Sequence, residues 1–99
     1  MAVLYVAEFV SVGGSGNFPT MAALVSPVQE QTIVVGGVST QVATAFDSRS
    51  TFVRLHTDTA CSVKFGANPT ATTANARLIA NQTEYFPIVP LQKVAVIAN

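Results

Sequence analysis

The sequence predicts a small all-β protein, an antiparallel β-sandwich or barrel of about eight strands with essentially no helix. Short segments alternate apolar and polar residues with a period of two, and turn residues separate these segments. Threonine, a β-branched residue that suits strands, occurs eleven times. The chain has 99 residues, of which 49% are apolar, and this length supports one domain with one modest core.

The N-terminal segment is the first predicted strand. Residues Ala2–Val12 are mostly apolar and end at the glycine-rich cluster Gly13–Gly16, which favours a break in regular structure. We therefore interpret residues 1–17 as an N-terminal strand or arm followed by a flexible hinge. Further along, Thr20 is a candidate N-cap for one helical turn over Met21–Leu24, with an irregular segment as the alternative.

A glycine pair predicts a hairpin in the middle of the chain. Gly36 and Gly37 stand between two β-rich segments, Val28–Val35 and Val38–Phe46. Both central residues of a type I′ turn need a positive φ, which glycine adopts readily. The sequence therefore predicts that these two segments pair directly with each other.

The second half of the chain predicts five more strands and one long loop. In the segment Cys61–Phe65, apolar residues alternate with Ser62 and Lys64, which predicts a half-buried strand. The loop Gly66–Asn75 has no charge and no large apolar side chain, and loops of this length are usually functional or mobile. The five strands are predicted at Thr51–Thr57, Cys61–Phe65, Arg77–Ala80, Thr83–Ile88 and Lys93–Ala98.

The charge content excludes several classes of protein. Five basic and five acidic residues are scattered singly and give a formal net charge of zero, which argues against nucleic-acid binding. No run approaches the ~18 apolar residues of a membrane span, and the N-terminus lacks the basic region of a signal peptide. Charged residues are only 10% of the chain, so copies repel one another weakly. We expect either a chain whose surface is covered by neighbours or an ordinary threonine-rich sandwich.

The residue types that carry out chemistry do not form a recognisable set. His56 is the only histidine, and Asp58 follows on the same strand face, but catalysis also needs a positioned nucleophile. We therefore interpret His56 as a polar surface or interface residue. Cys61 lies on an apolar strand face and is predicted to be buried and inert; a lone cysteine forms no internal disulfide, which indicates folding in a reducing cytoplasm. The sequence predicts no enzyme, no metal site and no cofactor.

Three segments are candidates for contacts in an assembly. An apolar N-terminal strand with only Glu8 charged would expose an unpaired edge unless another chain pairs with it. The backbone of the loop Gly66–Asn75 offers groups that could pair with the sheet edge of a neighbouring subunit. Tyr85 and Phe86, next to Glu84, are aromatic residues beside a carboxylate, as a glycan-binding surface would need. The candidate assembly residues are Val3, Leu4, Tyr5, Val6, Asn68, Pro69, Thr70, Thr72, Tyr85 and Phe86.

The second half of the chain also carries a recognisable pattern. It consists of the segments Phe52–Gly66 (FVRLHTDTACSVKFG), Ala67–Ala74 (ANPTATTA), Leu78–Phe86 (LIANQTEYF) and Lys93–Ile97 (KVAVI). Together these segments resemble a widespread set of small virion-associated proteins of tailed bacteriophages. The resemblance covers about half of the chain, and Pro90–Gln92 departs from it where the pattern usually has a glycine turn.

The resemblance implies a β-sandwich component of a phage particle, with a head decoration or cement protein that stabilises the capsid as the main expectation. It further implies the major capsid protein as the partner, a homo-oligomer such as a trimer, and a location in the virion after synthesis in the host cytoplasm. The alternatives are a component of the tail, a fibre or the head–tail connector, or a surface module that binds a host glycan. The family pattern implies no catalytic activity.

Overall fold

The computed structural model describes residues 2–10, 12–15, 18–23 and 28–99, and it gives only the backbone of 12–15 and 18–23. In these ranges the chain forms ten β-strands and no helix, which confirms the all-β prediction. These residues therefore contain no helix that could cross a membrane. The strands are β1 (Val3–Phe9), β2 (Val12–Ser15), β3 (Phe18–Ala23), β4 (Gln29–Val34), β5 (Thr40–Gln41), β6 (Phe52–Thr57), β7 (Cys61–Gly66), β8 (Ala76–Leu78), β9 (Thr83–Pro87) and β10 (Lys93–Ala98).

Eight of the strands form two four-stranded antiparallel sheets. The first sheet has the strand order β4-β1-β6-β9, and the second sheet has the order β5-β10-β7-β8. Apolar side chains from both sheets meet in one core, so the fold is a β-sandwich. Strands β2 and β3 pair with each other in a separate two-stranded sheet.

The alternation of apolar residues decides which side of each strand faces the core. In β6, every second residue from Val53 to Thr57 is buried. In β7, Cys61 and Val63 are buried and Lys64 is exposed, as predicted, whereas Ser62 on the outer side is also buried and donates a hydrogen bond to Asn99 Oδ1. The large apolar side chains of the core are Leu4, Val6, Ile33, Val35, Val42, Phe46, Val53, Leu55, Val63, Leu78, Val94 and Val96.

The N-terminal strand lies in the middle of the first sheet. β1 pairs with β4 on one side and with β6 on the other. The expectation that Ala2–Val10 exposes an unpaired edge is therefore wrong. Alternation within β1 shows which side chains face the core, but it carries no information about the strands that hydrogen-bond to its backbone.

The glycine pair Gly36–Gly37 connects the two sheets and does not close a hairpin. β4 belongs to the first sheet, whereas β5 pairs with β10 in the second. Neither glycine has the positive φ of a type I′ turn, so the predicted hairpin is wrong. Val35 and Val42, on the two sides of the connection, are both buried in the core. The backbone nitrogen of Val35 donates to the carbonyl oxygen of Ala2, and that of Val42 donates to the carbonyl oxygen of Val94, so the two flanks extend the pairing of different sheets.

The segment after β1 also differs from the prediction. Val12–Ser15 forms β2, where we predicted a glycine-rich hinge, and Phe18–Ala23 forms β3, where we predicted a helical turn or an irregular segment. The two strands pair antiparallel, with an irregularity between Val12 and Gly14. Gly16 and Leu24, the ends of the predicted hinge and turn, lie outside the described residues. Pairing between neighbouring segments outweighs the local preferences of glycine and threonine.

The turn between β9 and β10 has an unusual backbone conformation. Leu91 has a φ of 70°, in the left-handed region that costs a non-glycine residue roughly 1–2 kcal/mol. It lies within Pro90–Gln92, where the sequence departs from the glycine turn of the phage pattern. The backbone nitrogen of Leu91 donates a hydrogen bond to the carbonyl oxygen of Phe46 at 3.0 Å. The turn therefore has a conformation that suits glycine although no glycine is present.

Candidate functional site

The outer face of the first sheet carries exposed aromatic and charged side chains. The strand register aligns them in two rows across β4, β1, β6 and β9. Tyr5 and Tyr85 are 48% and 49% exposed. The rows are Thr32–Tyr5–His56–Thr83 and Glu30–Ala7–Arg54–Tyr85, and together they are called the tyrosine face.

Contacts within the first row hold its side chains in place. His56 Nδ1 lies 2.7 Å from Thr83 Oγ1, at hydrogen-bond distance. The Tyr5 ring packs beside the His56 ring, with the two centroids 6.2 Å apart. The orientation of Tyr5 is therefore restricted by a histidine that has a partner of its own.

The second row is supported by two phenylalanine rings. Phe9 and Phe52 stack with their centroids 5.3 Å apart, and the Arg54 guanidinium lies 5.7 Å from the centre of the Phe9 ring, a cation–π contact. These contacts explain why Phe9 is only 3% exposed although it points away from the core. The Tyr85 ring packs against Phe52 at 6.2 Å. Arg54 and Tyr85 therefore have restricted positions on the surface.

A shallow depression lies over Ala7 in the tyrosine face. Its volume is about 380 Å³, and its lining includes Tyr5, Glu30, Arg54 and His56. Ala7 has the smallest side chain in the two rows, which leaves room between Glu30 on β4 and Arg54 on β6. Because neighbouring strands are ~4.8 Å apart, the backbones of these two residues are about 10 Å apart.

The outer face of the second sheet is basic. It carries Lys64, Arg77 and Lys93, three of the five basic residues. The pairs Ser62–Arg77 and Gly66–Lys93 place Lys64 diagonally next to both other cations, at roughly 7–8 Å. The strands of this sheet contain no Asp or Glu. The basic residues stand singly in the sequence, but folding groups these three on one surface, called the cationic face.

The long uncharged loop between β7 and β8 is folded against the second sheet. Gln41 Nε2 donates hydrogen bonds to Asn68 Oδ1 and to the carbonyl oxygen of Pro69, both at 2.8 Å. The backbone nitrogen of Ala71 donates to Ser39 Oγ at 2.8 Å, and Ala71 is buried. The loop is thus held beside the cationic face by contacts within the chain.

The candidate assembly residues differ in their exposure. Leu4 and Val6 are core residues and Pro69 is buried, so these three side chains are not available to a partner of the folded domain. Val3 and Phe86 are partly buried, and Phe86 packs against the core. Two of the exposed candidates lie on the tyrosine face and three lie in the loop beside the second sheet. The exposed candidates are Tyr5, Tyr85, Asn68, Thr70 and Thr72.

One buried polar cluster was not predicted from the sequence. Glu8 is completely buried on the core side of β1. Its carboxylate accepts hydrogen bonds from the backbone nitrogen of Asp47 and from Ser50 Oγ, both at 2.8 Å, and from Gln29 Nε2. The alternation of β1 already indicates that Glu8 points inward. Its partners come from distant parts of the chain, so only the fold reveals them.

The side chains that could take part in chemistry, those of His56, Asp58 and Cys61, make mainly structural contacts. Thr83 is the hydrogen-bond partner of His56, while Asp58 Oδ1 accepts a hydrogen bond from the backbone nitrogen of Val3 at 2.8 Å. Cys61 is fully buried, as predicted, and burial raises the pKa of its thiol. Among the residues that the structure describes, no group of three or more His, Cys, Asp or Glu side chains could hold a metal ion.

Comparisons with protein-family models, with curated proteins and with solved structures found no match for this chain. The resemblance of Phe52–Ile97 to small phage proteins therefore stays a prediction. The tyrosine face and the cationic face are the features of the molecule that bear on its function.

Proposed function

We propose that this protein is a structural component of a tailed-phage virion, a decoration or cement protein that binds the capsid through its cationic face. The observation that carries the proposal is the grouping of Lys64, Arg77 and Lys93 beside a loop held by hydrogen bonds. A structural role needs a pre-organised contact surface rather than reactive groups. The phage-like pattern over Phe52–Ile97 supports the virion as the setting.

The partner of the cationic face is proposed to be an acidic patch on the major capsid protein. A sheet face with three cations, in strands without acidic residues, has a positive potential that complements carboxylates. The exposed loop residues Asn68, Thr70 and Thr72 add hydrogen-bonding groups beside it. This surface replaces the N-terminal strand as the expected contact, because that strand is already paired on both sides.

A homo-oligomer such as a trimer fits the same role. Exposed apolar side chains provide contact area for sister subunits, among them Val34, Val38 and Leu91, which are 56%, 77% and 67% exposed. The low content of charged residues, 10%, leaves little repulsion between copies. Sedimentation velocity measures the oligomer directly, and the mass of a single chain at every concentration would contradict this part of the proposal.

The main experiment measures binding of the purified protein to phage heads that lack it. We expect the protein to sediment with the heads at a saturating stoichiometry. Lys64→Glu should weaken this binding by about tenfold or more, which corresponds to ~1.4 kcal/mol. Because the Debye length shrinks to ~3 Å at 1 M salt, the difference between parent and variant should decrease as salt rises.

The matched control is Arg49→Glu, which changes an exposed cation outside the cationic face. We expect this control to bind like the parent. Equal weakening by both variants, or no effect of Lys64→Glu, would show that the cationic face is not the contact. Failure of the parent protein to bind heads at all would reject the role as a head decoration or cement protein.

A further inference from the structure

The tyrosine face has features that the proposed capsid contact does not use. It lies on the opposite side of the sandwich from the cationic face, so both surfaces can be occupied at once. Tyr5 and Tyr85 are each about half exposed. A half-exposed tyrosine combines a flat apolar ring with a polar hydroxyl group, and such side chains are enriched in recognition surfaces.

Two opposite charges flank the depression without neutralising each other. Glu30 and Arg54 lie on either side of Ala7, on the strands that neighbour β1. In the described part of the chain, neither residue takes part in an ion pair. The Arg54 guanidinium instead contacts the ring of Phe9. Both charges are therefore available to a ligand in the depression.

These charges indicate what kind of ligand the depression accepts. An ionised Glu30 only accepts hydrogen bonds, and Arg54 only donates them. Glu30 repels a simple anion, and Arg54 repels a simple cation. A neutral polyhydroxyl compound avoids both penalties, because each hydroxyl group can donate to the carboxylate or accept from the guanidinium.

The shape of the surface adds a second argument. The depression of about 380 Å³ lies at the lower end of the usual range for ligand pockets, roughly 300–1,000 Å³. A second hollow, lined by Arg54, His56, Thr83 and Tyr85, adjoins it along the sheet. The two tyrosine rings offer flat surfaces for the C–H face of a sugar ring. A chain of two or more sugar rings could therefore follow the rows.

We propose that the tyrosine face binds a neutral saccharide, with one ring over Ala7 between Glu30 and Arg54 and the next ring against Tyr85. Tyr5 packs against the first ring, while the two charged side chains recognise its hydroxyl groups. This inference does not rest on the proposed capsid contact, since the two surfaces share no residue.

The test titrates the ¹⁵N-labelled protein with lactose, maltose and N,N′-diacetylchitobiose in separate NMR experiments. Concentrations on the order of 10 mM are needed, because a Kd near 1 mM corresponds to only about −4 kcal/mol. We expect at least one sugar to shift the backbone signals of Tyr5, Ala7 and Arg54 in a saturable way. Glu30→Gln, which preserves the size of an exposed side chain, should weaken that binding by about fivefold or more, close to 1 kcal/mol.

The control variant is Ile79→Ala, which removes an exposed apolar side chain outside the tyrosine face and should leave binding unchanged. The absence of saturable shifts with all three sugars would overturn the proposal. Shifts on another surface, or equal weakening by both variants, would also overturn it. Preferential binding of glucuronate or sulfate would show an anion site instead. A dimer in sedimentation, together with shifts of the Tyr5 signal that follow protein concentration without sugar, would show that a second copy of this chain occupies the face.

Discussion

Replacing Glu8 by alanine should destabilise the domain more than removing an exposed acidic side chain. The Glu8 side chain is completely buried, and its carboxylate accepts hydrogen bonds from Gln29, Asp47 and Ser50. Glu8→Ala removes an acceptor that these three donors share. The donors belong to the start of β4 and to the turn before β6, so the loss also weakens the connection between β1 and these segments.

The magnitude follows from the number of donors that lose a partner. A buried donor without an acceptor costs about 1–3 kcal/mol. Two of the three hydrogen bonds are only partly buried, so the cost for their donors lies at the lower end of this range. The free energy of unfolding should therefore fall by about 3–5 kcal/mol. A domain of this size has a total stability of roughly 5–15 kcal/mol. Since 1 kcal/mol shifts Tm by ~4–8 °C in a small domain, Tm should fall by at least roughly 12 °C.

Urea and thermal unfolding followed by circular dichroism measure this loss. Glu84→Ala is the control, because Glu84 is exposed and accepts its hydrogen bond from the side chain of Gln82; its effect should stay within about 0.5 kcal/mol. Glu8→Gln keeps the side-chain shape and one acceptor oxygen, so its loss should be intermediate. Equal destabilisation by Glu8→Ala and Glu84→Ala would refute the role of the buried cluster.

Three further predictions concern the strand register, the thiol and the turn before β10. Phe65→Ala should lower the free energy of unfolding by about 3 kcal/mol, because the ring packs against the core. Lys64→Ala should have almost no effect in urea unfolding. Equal losses of stability in the two variants would contradict the register of β7. Cys61 should resist a bulky thiol reagent until denaturant is added. Burial raises the pKa of this thiol, so the folded state favours the neutral form. The resulting contribution to the free energy of unfolding should be complete below about pH 8.5 and be lost at higher pH. Cys61→Ala should lack that alkaline decrease in stability. Leu91→Gly should stabilise the protein by about 0.5 kcal/mol, since relief of the left-handed strain slightly exceeds the entropic cost of glycine; a lower Tm would argue against strain at this position.

The sequence was sufficient to predict the strands of the sandwich. Each of the eight predicted strands corresponds to one strand of the two main sheets, although β5 is limited to Thr40–Gln41. Alternation also predicted the buried side of Cys61–Phe65 and the outward direction of His56. These predictions succeed because the direction of a side chain along a strand depends on local backbone geometry.

The partners of the strands required the tertiary structure. Gly36–Gly37 has the sequence of a hairpin turn, yet the chain there passes from one sheet to the other, because β4 pairs with β1 and β5 pairs with β10. The N-terminal strand was expected to expose an unpaired edge, yet it has neighbours on both sides. Backbone hydrogen bonds form between any two strands whose faces match, so composition alone cannot select the pair.

The candidate sites depend on the same long-range pairing. The residue types were visible in the sequence, including the few charged residues, the two tyrosines and the single histidine. Only the register of β1, β6 and β9 brings Tyr5 to His56 and Arg54 to Tyr85, and only the second sheet groups Lys64 with two other cations. The sequence alone therefore determined the eight strands of the two main sheets and the direction of their side chains, because both follow from local alternation, whereas β2 and β3 were not predicted. The tertiary structure decided which side chains share a surface, because that depends on backbone pairing between segments far apart in the chain.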